Sequence, residues 1–70
     1  MAEITAPMSG KIWKILVKVG DSVSEDDEVA ILEAMKMEIP VVSTTDGTVK
    51  EIKVKEGEAI EAEGVIMVLE

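Results

Sequence analysis

The chain has 70 residues, 47% of them apolar, and Trp13 is the only aromatic residue, so any core has to be built mainly from aliphatic side chains and methionine. It has neither cysteine nor histidine, which excludes disulfides, thiolate nucleophiles, Cys/His zinc sites and the general base most often used near neutral pH. Seven lysines against fifteen carboxylates give a formal net charge of −8, which disfavours binding to nucleic acid or to an anionic membrane.

The N-terminal segment has no basic stretch followed by an apolar run, and no later stretch is long enough to span a bilayer. We therefore expect a single domain over residues 1–70, located in the cytoplasm. A chain of this length buries only about 60% of the surface that it exposes when unfolded, which leaves little room for a deep catalytic cavity. We expect a protein that is not an enzyme.

In chain order, the first elements are a turn at residues 7–10, a strand, a glycine turn at Gly20 and a second short strand. The same pattern recurs 37 residues later, where Gly47 and Gly57 repeat Gly10 and Gly20 without a gap. Seven of the 33 aligned pairs are identical, and the matches fall at expected turns and buried positions. Residues 1–33 thus map onto residues 38–70, and four connecting residues have no counterpart: Ala34, Met35, Lys36 and Met37.

The segment from Glu25 to Ile39 is the one place where two patterns disagree. Its Glu, Ala, Leu, Met and Lys content favours a helix beginning near Ser24. Its counterpart, residues 64–69, is rich in β-formers, and Val29, Ile31, Met35, Met37 and Ile39 recur with period two, interrupted at Glu33. Because equivalent segments of the two copies should form the same secondary structure, we predict that this segment is a strand.

Two four-stranded halves that each hide an aliphatic face can pack on one another. The predicted fold is all-β, a flattened antiparallel barrel or sandwich of about eight short strands in two similar four-stranded sheets. The connector then lies at one end of the molecule and the two termini lie together at the other.

The connector carries a recognisable motif. The segment Glu33-Ala34-Met35-Lys36-Met37-Glu38 resembles the biotinylation motif of the biotinyl domains of biotin-dependent carboxylases. Residues 6–10, 17–21 and 46–49 also resemble that family, so the likeness covers nearly the whole chain. Some acetyl-CoA carboxylase carriers insert a protruding thumb in the first half, but the ungapped repeat leaves no room for one. The chain therefore resembles the thumbless type and small stand-alone biotin/lipoyl attachment proteins.

The resemblance implies a flattened eight-stranded antiparallel barrel, or barrel-sandwich hybrid, whose two sheets are related by a quasi-twofold axis, with Lys36 on an exposed hairpin. It also implies that biotin is attached covalently to Lys36 by a biotin protein ligase. Met35, Met37, Ala34 and Glu33 are then the candidate ligase-recognition residues, although Met37 can also be a core residue. The implied partners are the ligase, a biotin carboxylase and a carboxyltransferase, and the domain carries a carboxyl group between the two enzymes without catalysis of its own. We expect a monomer that binds neither nucleic acid nor membrane and holds no metal.

Other interpretations remain open at this point. Lys36 can be an ordinary solvated lysine, and a lipoyl domain has the same fold, although such domains usually carry Asp-Lys-Ala at the tip; lipoate on Lys36 is therefore the second cofactor hypothesis. An unmodified interaction module is the third hypothesis. The acidic run 25–28 lacks the ligand spacing of an EF-hand and is predicted to be a solvated turn. Trp13 is either a core residue or an exposed docking aromatic.

Overall fold

The computed structural model describes residues 2–70, which form eight strands and no helix. Met1, the first residue of the predicted domain, lies outside this range. Within residues 2–70 there is accordingly no helix with the length and apolar character needed to cross a membrane. The strands are β1 (Ala2–Thr5), β2 (Gly10–Ile15), β3 (Ser22–Val23), β4 (Glu28–Ala34), β5 (Met37–Val42), β6 (Gly47–Ile52), β7 (Ala59–Ile60) and β8 (Val65–Leu69).

The strands form two antiparallel four-stranded sheets. One sheet has the order β1-β8-β6-β3 and the other has the order β5-β4-β2-β7. Exchanging β1 with β5, β2 with β6, β3 with β7 and β4 with β8 turns the first order into the second. The predicted all-β fold of two related four-stranded sheets is confirmed.

Equivalent hydrogen bonds in the two halves show the same relationship at the level of single residues. The Gly20 N–H donates to the Val49 carbonyl at 2.8 Å, and the Gly57 N–H donates to the Ile12 carbonyl at 2.6 Å. Both glycines have a positive φ, 98° and 90°, which a residue without Cβ adopts at no steric penalty. The sequence repeat is therefore a structural repeat that extends to the turns.

Aliphatic side chains from both sheets fill the interior. Fully burying one such side chain stabilises the fold by about 1.5–3 kcal/mol, so the core supplies most of the favourable energy of this small domain. Met67 lies among the branched residues, where its flexible thioether can fill irregular space. The largest fully buried apolar side chains are those of Ile12, Leu32, Ile66, Met67, Leu69, Val29 and Val49.

The segment from Glu25 to Ile39 contains β4 and no helix, which confirms the strand prediction. The period-two pattern predicted Val29 and Ile31 on the buried face of this strand, and that prediction is wrong in detail. A register shift between Glu28 and Ala30 buries both Val29 and Ala30, so Leu32 is then directed inward and Ile31 is only half-buried. The cause is a β-bulge, which adds one residue to the strand and exchanges its two faces.

Candidate functional site

The connector forms the tip of the hairpin between β4 and β5. Ala34 and Met37 are the last paired residues, which leaves Met35 and Lys36 as a two-residue turn. The φ angles of these two residues are 54° and 62°. Positive φ at both central residues is typical of a type I′ turn, whose twist matches that of the flanking strands. The chain thus presents Lys36 on the tightest form of β-hairpin.

The turn is built from residue types that do not favour it. Type I′ turns prefer Asn-Gly or Asp-Gly, since a left-handed backbone costs most other residues roughly 1–2 kcal/mol each. Met35 and Lys36 both accept this conformation, and the pairing of β4 with β5 below the tip fixes it. Retained backbone strain at an exposed tip points to a functional site.

The side chains of the connector divide into a base and an exposed tip. Ala34 is only 7% exposed and supports the turn from below, whereas Met35 is 89% exposed and Met37 is 68% exposed. Lys36 is exposed between them. The expectation that Met37 can also fill the core is therefore wrong, because β5 directs its side chain to solvent. Both methionines are accessible to a partner protein on either side of Lys36.

Two glutamates, Glu33 and Glu38, lie at the base of the hairpin tip. Glu33 lies opposite Glu38 on β5 and opposite Lys11 on β2. Within residues 2–70, neither an ion pair nor a hydrogen bond holds the ammonium of Lys36. The stem of Lys36 can therefore sweep the space above the hairpin, while its Cα is held by the strands.

Gly10 brings β2 close to the base of the hairpin. A Cβ placed on this residue would lie 2.6 Å from the Glu33 carbonyl oxygen and 3.2 Å from the Cβ of Ala34. Only glycine permits this approach without a shift of the strands. Gly10, one of the residues 6–10 that resemble the biotinyl family, thus acts on the hairpin through packing.

The two halves differ in their surfaces although they share a backbone. Apart from the connector methionines, each exposed large hydrophobic residue has a polar residue at the equivalent position of the other half. The pairs are Met8 with Thr45, Trp13 with Lys50, Leu16 with Lys53, Val19 with Glu56, and Val42 with Thr5. Two of these exposed apolar residues, Trp13 and Val42, lie in strands of the sheet that carries Lys36, and the repeat shows that the fold itself does not require them.

Trp13 is 43% exposed, which excludes the interpretation of this residue as a fully buried core side chain. It lies at a register shift in β2, between Ile12 and Lys14, and the Lys14 ammonium is 5.1 Å from its ring centroid. The sequence prediction did not include Lys11 and Gly57, which lie beside Trp13 in a pocket near the hairpin. In the second copy of the repeat, Lys50 occupies the position equivalent to Trp13. This difference between the copies is the sequence signal that distinguishes the surface around Trp13.

The acidic run 25–28 is exposed and begins with a turn at Glu25 and Asp26, as predicted, but its last residue, Glu28, begins β4. The Ser24 N–H donates to the Asp27 carboxylate at 2.9 Å, and the Glu25 N–H donates to the Asp46 carboxylate at 2.8 Å. In the part of the chain that the structure describes, no group of three or more His, Cys, Asp or Glu side chains is placed to hold a metal ion. One carboxylate of the run, that of Asp27, therefore holds the local backbone, and Asp46 holds the run from outside it.

Comparison with known proteins gives matches along the whole described fold. A protein-family model described as "Biotin-requiring enzyme" matches residues 2–69. The chain is 47% identical over 66 residues to the biotin/lipoyl attachment protein of Bacillus subtilis, a match that covers 94% of this chain and 90% of that protein. It is 53% identical over 57 residues to the biotin carboxyl carrier protein of Streptococcus mutans, covering 81% of this chain and 44% of that protein.

Larger proteins contain a similar segment. The chain is 38% identical over 69 residues to the pyruvate carboxylase of B. subtilis, covering 99% of this chain but 6% of that protein. Among solved structures, the Kluyveromyces lactis urea carboxylase is similar with a TM-score of 0.92 and 36% sequence identity, over 99% of this chain and 6% of that chain. The chain therefore spans most of one relative and only a small part of the larger ones.

Proposed function

The chain belongs to the biotin/lipoyl family of biotin-requiring enzymes, and on that premise we propose that Lys36 receives biotin through an amide bond. The domain is a non-catalytic biotin carrier of the kind found in biotin-dependent carboxylases. The single observation that supports Lys36 as the attachment residue is its place at the exposed tip of the β4–β5 hairpin, in the only segment without a counterpart in the repeat.

The attachment step needs an activated donor. Lys36 has no partner among residues 2–70 that could remove its proton, and neither histidine nor cysteine is present to assist. A biotin protein ligase that presents biotinyl adenylate supplies the missing activation. The ammonium first loses a proton to the ligase or solvent, the neutral amine attacks the acyl carbon, AMP departs as the leaving group, and the nitrogen loses a second proton to give the amide. The ammonium charge then disappears, and the later chemistry belongs to the cofactor.

The carrier cycle needs two partner sites. Lys36 would hold biotin, whose ureido ring would supply the carrier for a carboxyl group between a biotin carboxylase site and a carboxyltransferase site. A tethered ring meets each site at high effective concentration, because the second encounter is intramolecular. The exposed side chain of Lys36 lets the attached group move between these sites. The rigid hairpin below it fixes the point from which the group moves.

The proposed function is tested by intact-mass analysis of the chain after incubation with biotin protein ligase, biotin and ATP. One biotinyl group per chain is expected, and peptide mapping should place it on Lys36. A parallel reaction with lipoate and its ligase is needed because one relative is named as a biotin/lipoyl attachment protein. Faster modification by lipoate than by biotin, or an unmodified mass in both reactions, would contradict the assignment of biotin.

Replacing Met35 with asparagine should separate stability from ligase recognition. Asparagine tolerates the left-handed conformation of this turn position, so the melting temperature should stay the same or rise by a few degrees, equivalent to about 0.5–1 kcal/mol. We propose that the ligase contacts the 89% exposed thioether, and its loss should lower kcat/KM for biotinylation about tenfold, equivalent to about 1.4 kcal/mol. Calorimetry and ligase kinetics measure the two effects.

Met8→Asn is the matched control, because Met8 is also an exposed methionine but lies outside the hairpin. This variant should be biotinylated at the rate of the original chain. Equal kcat/KM values for Met35→Asn and the original chain would show that the ligase does not recognise the Met35 side chain.

A further inference from the structure

A pocket of about 270 Å³ lies beside the hairpin and is not used in the carrier role described above. Its lining residues are Lys11, Ile12, Trp13, Glu33 and Gly57. Lys11 and Glu33 are direct cross-strand partners on β2 and β4, and Glu33 lies three residues before Lys36. The volume is just below the range of about 300–1,000 Å³ for drug-sized ligands, which suits one small ring system.

A group attached to Lys36 can reach this pocket. At about 3.3 Å per residue, the Cα atoms of Glu33 and Lys36 are separated by at most roughly 10 Å. A lysine stem joined by an amide to a five-carbon chain extends roughly 14 Å, from the lengths of the bonds along it. The arm is therefore long enough to fold back along β4 and place its terminal ring at Glu33.

We propose that the pocket is a resting site for the ring system of biotin carried on Lys36, a proposal that rests on the proposed function. The ureido ring offers N–H donors and one carbonyl acceptor, and the fused sulfur-containing ring is apolar. In the pocket, the Glu33 carboxylate accepts from a ureido N–H, the Lys11 ammonium donates to the ureido carbonyl, and Trp13 packs against the sulfur-containing ring.

The charged residues of the pocket are available for this role. Although Lys11 and Glu33 are directly opposite, no ion pair joins them in the described range 2–70. The register shift at Trp13 alters the direction of side chains in this part of β2, as β-bulges do. The contact of Lys14 with the indole also favours one orientation of the ring.

The internal repeat shows that the fold does not demand Lys11 or Trp13 at these positions. The equivalent surface at the other end of the molecule has Thr48 for Lys11 and Lys50 for Trp13, while Gly20 keeps the place of Gly57. The backbone frame and the carboxylate, Glu33 or Glu70, are thus present at both ends, but only the end that carries Lys36 has the aromatic ring. The lysine at the other end, Lys50, takes the place of the indole and not that of Lys11. This difference is expected of a site that serves the attached group.

Trp13 provides the test, because it is the only aromatic residue of the chain and its fluorescence reports on the pocket directly. The full chain is compared before and after biotinylation, with one biotin on Lys36 verified by mass. We expect about a twofold fall in the acrylamide quenching constant of Trp13, since a ring packed on the indole covers much of its exposed surface. Nuclear Overhauser effects between indole and biotin ring protons should appear.

Glu33→Gln and Lys11→Met should each weaken this protection in the biotinylated chain, which is separated from unmodified chain before measurement. Glu38→Gln is the matched control, because Glu38 lies opposite Glu33 on β5 but does not line the pocket. It should leave the protection of Trp13 unchanged.

The outcomes distinguish the two proposals. If mass analysis shows biotin on Lys36 but Trp13 quenching and its Overhauser contacts stay unchanged, the resting site is refuted and the carrier function stands. Equal loss of protection in Glu33→Gln and Glu38→Gln would also refute it, because the effect would then follow charge alone. Failure of biotinylation at Lys36 would overturn the carrier assignment, and the resting site with it.

Discussion

Replacing Lys36 with arginine is expected to reduce biotin incorporation from one group per chain to none. Arginine keeps the positive charge and a long stem, but its delocalised guanidinium does not accept the acyl group from a biotinyl adenylate. The fold should be unaffected, because surface substitutions of this kind change stability by less than about 0.5 kcal/mol. Intact mass after the ligase reaction measures incorporation, and circular dichroism on heating measures stability.

Lys18→Arg is the control for this substitution, because Lys18 is exposed but lies far from the hairpin in sequence. It should still accept one biotin per chain. Biotin found on the Lys36→Arg chain by peptide mapping would mean that another lysine is the acceptor, and the assignment of the hairpin as the site would be wrong.

The second large effect is expected at Gly10, where alanine should destabilise the fold by about 2–3 kcal/mol. The added Cβ would lie 2.6 Å from the Glu33 carbonyl oxygen, within a paired part of β4, so strands have to move apart. For a domain of this size the loss equals a fall of roughly 10–20 °C in melting temperature. Thermal and urea denaturation give the free energy of unfolding.

Gly47→Ala is the matched comparison, because the repeat places Gly47 at the same position of the other half. There the added Cβ would lie 3.1 Å from the Glu70 carbonyl oxygen, which requires a shift of only a few tenths of an ångström. Gly47→Ala should therefore cost less than half as much stability as Gly10→Ala. Equal losses would show that generic glycine effects on the backbone, and not the contact with Glu33, determine the cost.

The sequence repeat predicted the main features of the fold. Equivalent glycines at positions 20 and 57 indicated equivalent turns, and the β-rich segment 64–69 correctly outweighed the helix propensity of residues 25–39. The same alignment left Lys36 in the only unpaired segment, so its place at one end of the molecule could also be predicted, while its place on a hairpin was implied by the resemblance to biotinyl domains.

Other features depend on the register between distant strands, which a single sequence does not specify. The bulge that buries both Val29 and Ala30 follows from the pairing of β4 with β5, and period-two alternation does not reveal it. The pocket joins Lys11 and Trp13 to Gly57, more than 40 residues away in the chain. Its composition becomes visible only when the strands are placed side by side.

The pairing of Ala2 with Leu69 at one end and of Ala34 with Met37 at the other has a practical consequence. The molecule is 31 Å long and 18–19 Å wide, so a bead, a dye or a fused protein joined next to Ala2 or Leu69 is held at the end opposite Lys36. An immobilised chain would still present its acceptor lysine to the solution. That geometry suits the domain to use as a compact label whose point of attachment and point of modification do not obstruct one another.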